Sequence, residues 1–150
     1  MTEKELKLLE IAKETIHLNE HLGAKLTGSL MLAISGLNKR RDASDIDIIC
    51  DYLCERDDGF PIVPSEFKEI QMDGSKSEVG AIQFVNKDGL KIEFMYSEEL
   101  STEINGVQCG ELKWLIDAKR RYSENDKDDE SRKKHIDDLK YLFENNHHAK

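Results

Sequence analysis

Proline is almost absent from this chain, cysteine is sparse, and no apolar run is long. The two prolines, Pro61 and Pro64, both fall within residues 52–68. That stretch is expected to be the least regular, since proline removes a backbone donor and fixes φ. Cysteine is few and odd in number: Cys50, Cys54 and Cys109. This excludes a disulfide scaffold, and a reducing cytoplasm is the expected compartment. Cys50 and Cys54 lack a second thiol pair, so zinc is not expected, and Cys50 reads as a small buried hydrophobe. No apolar run approaches the ~20 residues of a membrane span, so no membrane partner is expected. No apolar core follows Met1-Thr2-Glu3-Lys4-Glu5, so no secretory signal is expected. Basic charge is in deficit, with 22 Lys and Arg against 31 Asp and Glu, a net charge of −9. General nucleic-acid binding by phosphate neutralisation is therefore disfavoured.

What is present is a charged but foldable chain. Charged residues make up 35% and hydrophobic residues 38% of 150 positions, against about 25% charged in an average globular chain. A chain of this length still buries roughly 70% of its unfolded surface. One domain over residues 1–150 is expected, with a core at about 20–100 and C-terminal helices at about 110–146.

Thr2 to about Asn19 reads as a helix, with Leu6, Leu9, Ala12 and Ile16 as its apolar stripe, Thr2 and Glu5 as a capping box, and Gly23 as its stop. Ala24-Lys25-Leu26-Thr27 reads as a short strand that runs into Gly28-Ser29, followed by a helix from Ser29 to about Leu37. Asp45-Ile46-Asp47-Ile48-Ile49-Cys50 alternates and is β-branched, a strand pattern. Glu69-Ile70-Gln71-Met72 is a short strand candidate. Val79 to Tyr96 reads as a hairpin around Asn86-Lys87-Asp88-Gly89, because Asp-Gly favours tight turns. Helical spacing returns from about Gly110, with Leu112, Leu115, Ile116, Ala118 and Tyr122 on one side. A charged loop is expected at Ser123 to Glu130. A last helix, about Ser131 to Asn145, places Ile136, Leu139, Leu142 and Phe143 together. The expected fold is α+β (α/β): a small mixed sheet of about four or five strands, flanking helices, and two C-terminal helices.

Three features carry chemistry. Glycine at Gly28-Ser29 lets a backbone approach a ligand closely. Asp45 and Asp47 are separated by one residue on a strand, so both carboxylates share a face at a Cα spacing of roughly 6.6 Å. Two anions side by side on an apolar strand call for a cation, and hard oxygen donors suit magnesium. Glu93 interrupts the apolar run Leu90-Lys91-Ile92-Glu93-Phe94-Met95-Tyr96. Were its strand beside that of Asp45, the three acids could hold two metal ions about 3.5–4 Å apart. Taken singly, each acid reads equally as a solvated strand face. His17, His21 and His135 fall into no ligand spacing, Trp114 reads as core, and Ser29 has no His–Asp pair to make it a nucleophile.

Gly28-Ser29 before a helix, Asp45-x-Asp47 on a strand, and a later lone Glu93 on a strand together resemble the polymerase-beta-like nucleotidyltransferase superfamily, from about Thr27 to Phe94. The spacing from Ser29 to Asp45, with Arg41 shortly before the acids, is similar to the branch of lincosamide nucleotidyltransferases and abortive-infection toxins. The resemblance implies magnesium on Asp45, Asp47 and Glu93 as a two-metal site. It implies an NTP, ATP being the expected donor, with Gly28, Ser29 and Arg41 at its phosphates. It implies pyrophosphate release on transfer to an acceptor hydroxyl of a small molecule, protein or RNA. A weaker likeness spans Leu115 to Lys119 and Arg132 to Leu139 and adds Lys119 and Lys134 as phosphate-binding residues. His135 departs from it, standing where an Asp is common. The residues identify no general base; Glu93 or a nearby acid such as Asp51 could serve. The short chain leaves a homodimer mate or partner protein as candidates to complete the site. The other reading is a nucleotide-binding or antitoxin module with this fold and no turnover.

Overall fold

The computed structural model describes residues 1–37, 40–54, 59–70, 81–98, 100–125 and 128–145. Helix α1 spans Glu3–Leu18, and a 3-10 turn, Glu20–Leu22, leads into strand β1, Lys25–Thr27. Helix α2, Gly28–Ile34, and strand β2, Ile46–Cys50, follow. The later strands are β3 (Lys68–Glu69), β4 (Ile82–Val85), β5 (Lys91–Tyr96), β6 (Thr102–Ile104) and β7 (Val107–Cys109). Helices α3, Leu112–Asn125, and α4, Asp129–Asn145, close the described chain and pack on each other. None of the helices, among the described residues, is long and apolar enough to cross a membrane.

The seven strands form one mixed sheet in the order β3-β4-β5-β2-β1-β7-β6. At its centre β2 runs parallel to β5 and antiparallel to β1. Side chains alternate between faces along each strand. Leu26, Ile48, Phe94 and Ile82 therefore form one row across four strands, each buried against the helical layer. Ile46, Ile92 and Phe84 extend this core, and Phe84 meets Phe94 edge-on at 5.7 Å and Phe60 at 6.0 Å. The opposite face carries Thr27, Asp47, Glu93 and Gln83, also in register.

The mixed α+β class agrees with the sequence reading, and the strand count is larger. The added hairpin is β6–β7, which turns at Asn105-Gly106, both at positive φ (50° and 81°). Asn-Gly is a strong hairpin signal, and Asn105 also donates from Nδ2 to the Ile34 carbonyl at the end of α2. The Asp88-Gly89 hairpin forms as expected: the Asn86 side chain accepts from the Asp88 and Leu90 amides. Its predicted start at Val79, like Gln71 and Met72 of the β3 candidate, lies outside the described residues. Helix α4 begins earlier than expected and α3 runs to Asn125, so the charged loop is shorter.

The buried stripe of α1 also differs. Leu6 is 50% exposed, while Leu8 is fully buried with Leu9, Ala12 and Ile16. Glu5, 1% exposed, lies on this same buried side. Its Oε1 accepts from the Thr2 amide as the capping box requires, and Oε2 accepts from the Ala43 amide at 2.8 Å. One carboxylate thus anchors the helix start and the loop that enters β2. Glu5→Ala is expected to destabilise the fold by about 2 kcal/mol, since it removes a cap partner and strands a buried amide. Urea unfolding checks this; an unchanged midpoint would remove Glu5 from that role.

Candidate active site

The acidic row follows from strand register. Asp47 lies opposite Thr27 on β1 and beside Glu93 on β5, and Gln83 on β4 faces Glu93. Gln83 donates a short hydrogen bond from Nε2 to Glu93 Oε2. Asp45 stands just before β2 and is exposed. The backbone turns sharply at Gly28, with φ at +75°. A Cβ there would fall 2.2 Å from Asp47 Oδ2 and 3.0 Å from its Cβ. Only glycine permits both the left-handed φ and this contact. Gly28→Ala is therefore expected to cost roughly 3 kcal/mol or more in urea unfolding, or to push Asp47 out of place.

Asp47 is electrostatically stressed. Burial, then the charge of Glu93, then that of Asp45 push its carboxyl up to about 7, against the smaller opposing pull of Lys119 and Lys134. Next to it the Thr27 hydroxyl is buried without a hydrogen-bond partner among the described residues. Among those residues no three His, Cys, Asp or Glu side chains stand so that together they could hold a metal ion. Asp51, four residues beyond Asp47, is bound by Lys25 Nζ at 2.5 Å and lies about 13 Å of strand away. It is thus occupied and remote as a base for chemistry at Asp47.

The basic residues gather on a second carboxylate, Asp138, which is 7% exposed. Arg41 grips both its oxygens, with Nε 3.3 Å from Oδ1 and Nη2 2.7 Å from Oδ2. Arg40 Nε donates to Oδ1 at 3.0 Å and Lys119 Nζ to Oδ2 at 3.1 Å. Burial alone would raise the Asp138 carboxyl, but the Arg41 hydrogen bond and the Lys119 charge hold it well below the carboxylate range. Burial and then Arg41 lower Lys119, and Asp138 only partly offsets this. Ser29, Leu32, Arg40, Arg41, Lys119, Asp138 and Leu142 line one pocket.

Arg41, Lys119 and Ser29 are thus brought together, and Lys119 is no solvated helix residue, being 7% exposed. Lys134 is exposed; its carbonyl accepts from Arg40 Nη2 at 3.5 Å, and its charge still reaches Asp47. His135 packs its ring against Tyr122 at 5.1 Å. Arg40 and Asp138 were not anticipated as site residues. The available signal was Asp138 one turn after Lys134 beside the Arg40-Arg41 pair, but only the fold joins them. Burial pushes the Cys50 and Cys109 thiols up to about 12, which leaves both inert at neutral pH.

The raised Asp47 value has a stability consequence. The folded carboxyl binds its proton more tightly than the unfolded one, so the contribution of Asp47 to stability is fully present below about pH 4 and is lost as pH rises to about 7. In EDTA at pH 8, Asp47→Asn is expected to be more stable than wild type by about 2 kcal/mol, with the difference fading toward pH 4. Urea unfolding across this range checks it; a variant no more stable at pH 8 would contradict the assigned burial and repulsion.

No protein-family model matches the chain, and no curated protein matches it. Among solved structures, an antigenic nucleotidyltransferase-like protein from Paracoccidioides brasiliensis is similar with a TM-score of 0.50 and 15% identity, covering 95% of this chain and 76% of that one. JHP933 from Helicobacter pylori aligns with a TM-score of 0.45 and 17% identity, over 79% of this chain. The chain spans a little over half of JHP933, 57% of its length. The likeness to the Paracoccidioides protein concerns the fold: this chain has a mixed α+β, nucleotidyltransferase-like fold.

Proposed function

We propose that the chain is a magnesium-dependent nucleotidyltransferase. It moves a nucleoside monophosphate from an NTP, with ATP the expected donor, to an acceptor hydroxyl and releases pyrophosphate. One observation carries the reading: the Asp47–Glu93 pair, in register and crowded by Asp45, lies within electrostatic reach of Lys119, which lines a pocket with Ser29 and Arg41.

The donor set fits magnesium. It consists of hard oxygens, and burial together with repulsion from Glu93 and Asp45 already drives Asp47 toward its protonated form. That the described acids alone do not enclose an ion is consistent with a cation that takes one or two carboxylates, water and substrate phosphates. One or two of Asp45, Asp47 and Glu93 would hold it, with water and substrate phosphates completing its shell. When bound, magnesium neutralises carboxylate and phosphate charge and makes the acceptor hydroxyl easier to deprotonate.

The chain's own residues then bind and orient. Gly28 brings the backbone against Asp47, and Ser29 lines the pocket. Arg41 and Lys119 take the terminal phosphates and hold the charge that develops on the departing pyrophosphate. Lys134 adds positive charge at longer range. The acceptor oxygen forms a bond to the α-phosphorus as the bond from that phosphorus to the bridging oxygen breaks. The hydroxyl proton leaves to water or to a carboxylate of the row. The spacing of Arg41 before the acids favours the lincosamide and abortive-infection branch. A second subunit or partner protein would complete the acceptor side.

Transfer from α-labelled ATP with magnesium, across small-molecule, protein and RNA acceptors, tests this. Asp47→Asn is expected to lower transfer by about 10³-fold or more, and chelation to abolish it. Full transfer by the variant would overturn the mechanism, and nucleotide binding with no pyrophosphate release for any acceptor would leave a binding module.

A further inference from the structure

Three cations converge on one buried carboxylate, and none of the three pairs with another acid among the described residues. Three formally positive groups thus meet one carboxylate at contact, with Asp47 acting on Lys119 at longer range. The cluster lines a small, partly open cleft with Ser29, Leu32 and Leu142. Asp138 and Lys119 are buried, while the side chains of Arg40 and Arg41 are about one third exposed (32% and 34%), so a ligand in solution can reach the arginines.

We propose that Asp138 is a positioning residue that gathers Arg40, Arg41 and Lys119 into a receptor for the terminal phosphates of a polyphosphate, with Arg40 an added ligand. The inference rests on the reading that the site takes a nucleoside triphosphate. Geometry favours positioning over competition. Both Asp138 oxygens are engaged by nitrogen donors at 2.7–3.3 Å, and the residue is anchored within α4. Arg41 grips it in a fork, which fixes the guanidinium plane. Each arginine retains the Nη1 edge and Lys119 retains protons that Asp138 does not use. The helical carboxylate thus holds together side chains that would otherwise repel and splay, and leaves their outer donors to a ligand. Lys119 links this receptor to the acidic row, since its charge reaches Asp47.

The sign of one measurement separates positioning from competition. Removing a negative charge should tighten anion binding if Asp138 merely competes, and weaken it if Asp138 positions. The probe is inorganic tripolyphosphate without magnesium, titrated calorimetrically into the full chain, with magnesium–ATP in parallel. Asp138→Asn is expected to weaken tripolyphosphate binding at least about tenfold despite its added positive charge, and Arg40→Gln by about tenfold. Leu115→Ala, buried on α3 and not lining the pocket, should destabilise the fold yet keep wild-type affinity in the folded protein. Equal or tighter binding by Asp138→Asn overturns the proposal, as does an equal loss in Leu115→Ala. If Asp138→Asn does not fold, unchanged binding by Arg40→Gln overturns it. Wild type that binds magnesium–ATP but not tripolyphosphate refutes this inference alone; wild type that binds neither refutes the nucleotide reading beneath it.

Discussion

The confinement of Asp47 beside Glu93 on a buried stretch of sheet is the constraint around which the rest of the site is arranged. Parallel pairing of β2 with β5 puts the two acids side by side, and Asp45 adds a third negative charge from the end of β2. The surrounding strands are apolar on their other face, so the sheet has strong reasons of its own to keep this register. The core row of Leu26, Ile48, Phe94 and Ile82 locks the strands, and a slip by one residue would expose that whole row. The fold therefore stabilises a charge arrangement that is unfavourable on its own. Such local cost, offset by packing elsewhere, is a common property of functional sites.

Asp138 organises the opposite sign. Its one carboxylate gathers Arg40, Arg41 and Lys119, and Lys119 stands where its charge is felt at Asp47. The site thus divides into an acidic row at the sheet and a basic pocket between α2, the segment after it, and the C-terminal helix pair. In a chain with net charge −9 this separation is a local matter. The bulk acidity describes the surface, and the proposed chemistry depends on a few carboxylates and the cations facing them.

Much of the frame was legible in the sequence because its determinants are local. Thr2 and Glu5 form their capping box within one turn, and Asn86 to Gly89 turns within four residues. Asp45-x-Asp47 and Glu93 were readable as acids interrupting apolar strands, and β-strand alternation set their face. What was not legible depends on tertiary approach. Leu6 and Leu8 are equally apolar, and the buried side of α1 is the one that carries Glu5, bonded to Ala43 38 residues away. Asp138 is one of many acids in a charged helix, and its role comes from arginines 97 and 98 residues distant. The β6–β7 hairpin is different: Asn105-Gly106 carried a local signal that strands of three residues were too short to reinforce.

The most direct test of the acidic row and basic pocket as one nucleotide site is a crystal structure with manganese and a non-hydrolysable ATP analogue. The account predicts an anomalous peak at one or two of Asp45, Asp47 and Glu93, with the terminal phosphates against Arg40, Arg41 and Lys119. A nucleotide bound elsewhere, or phosphates turned away from those cations with no metal at the acids, would contradict it.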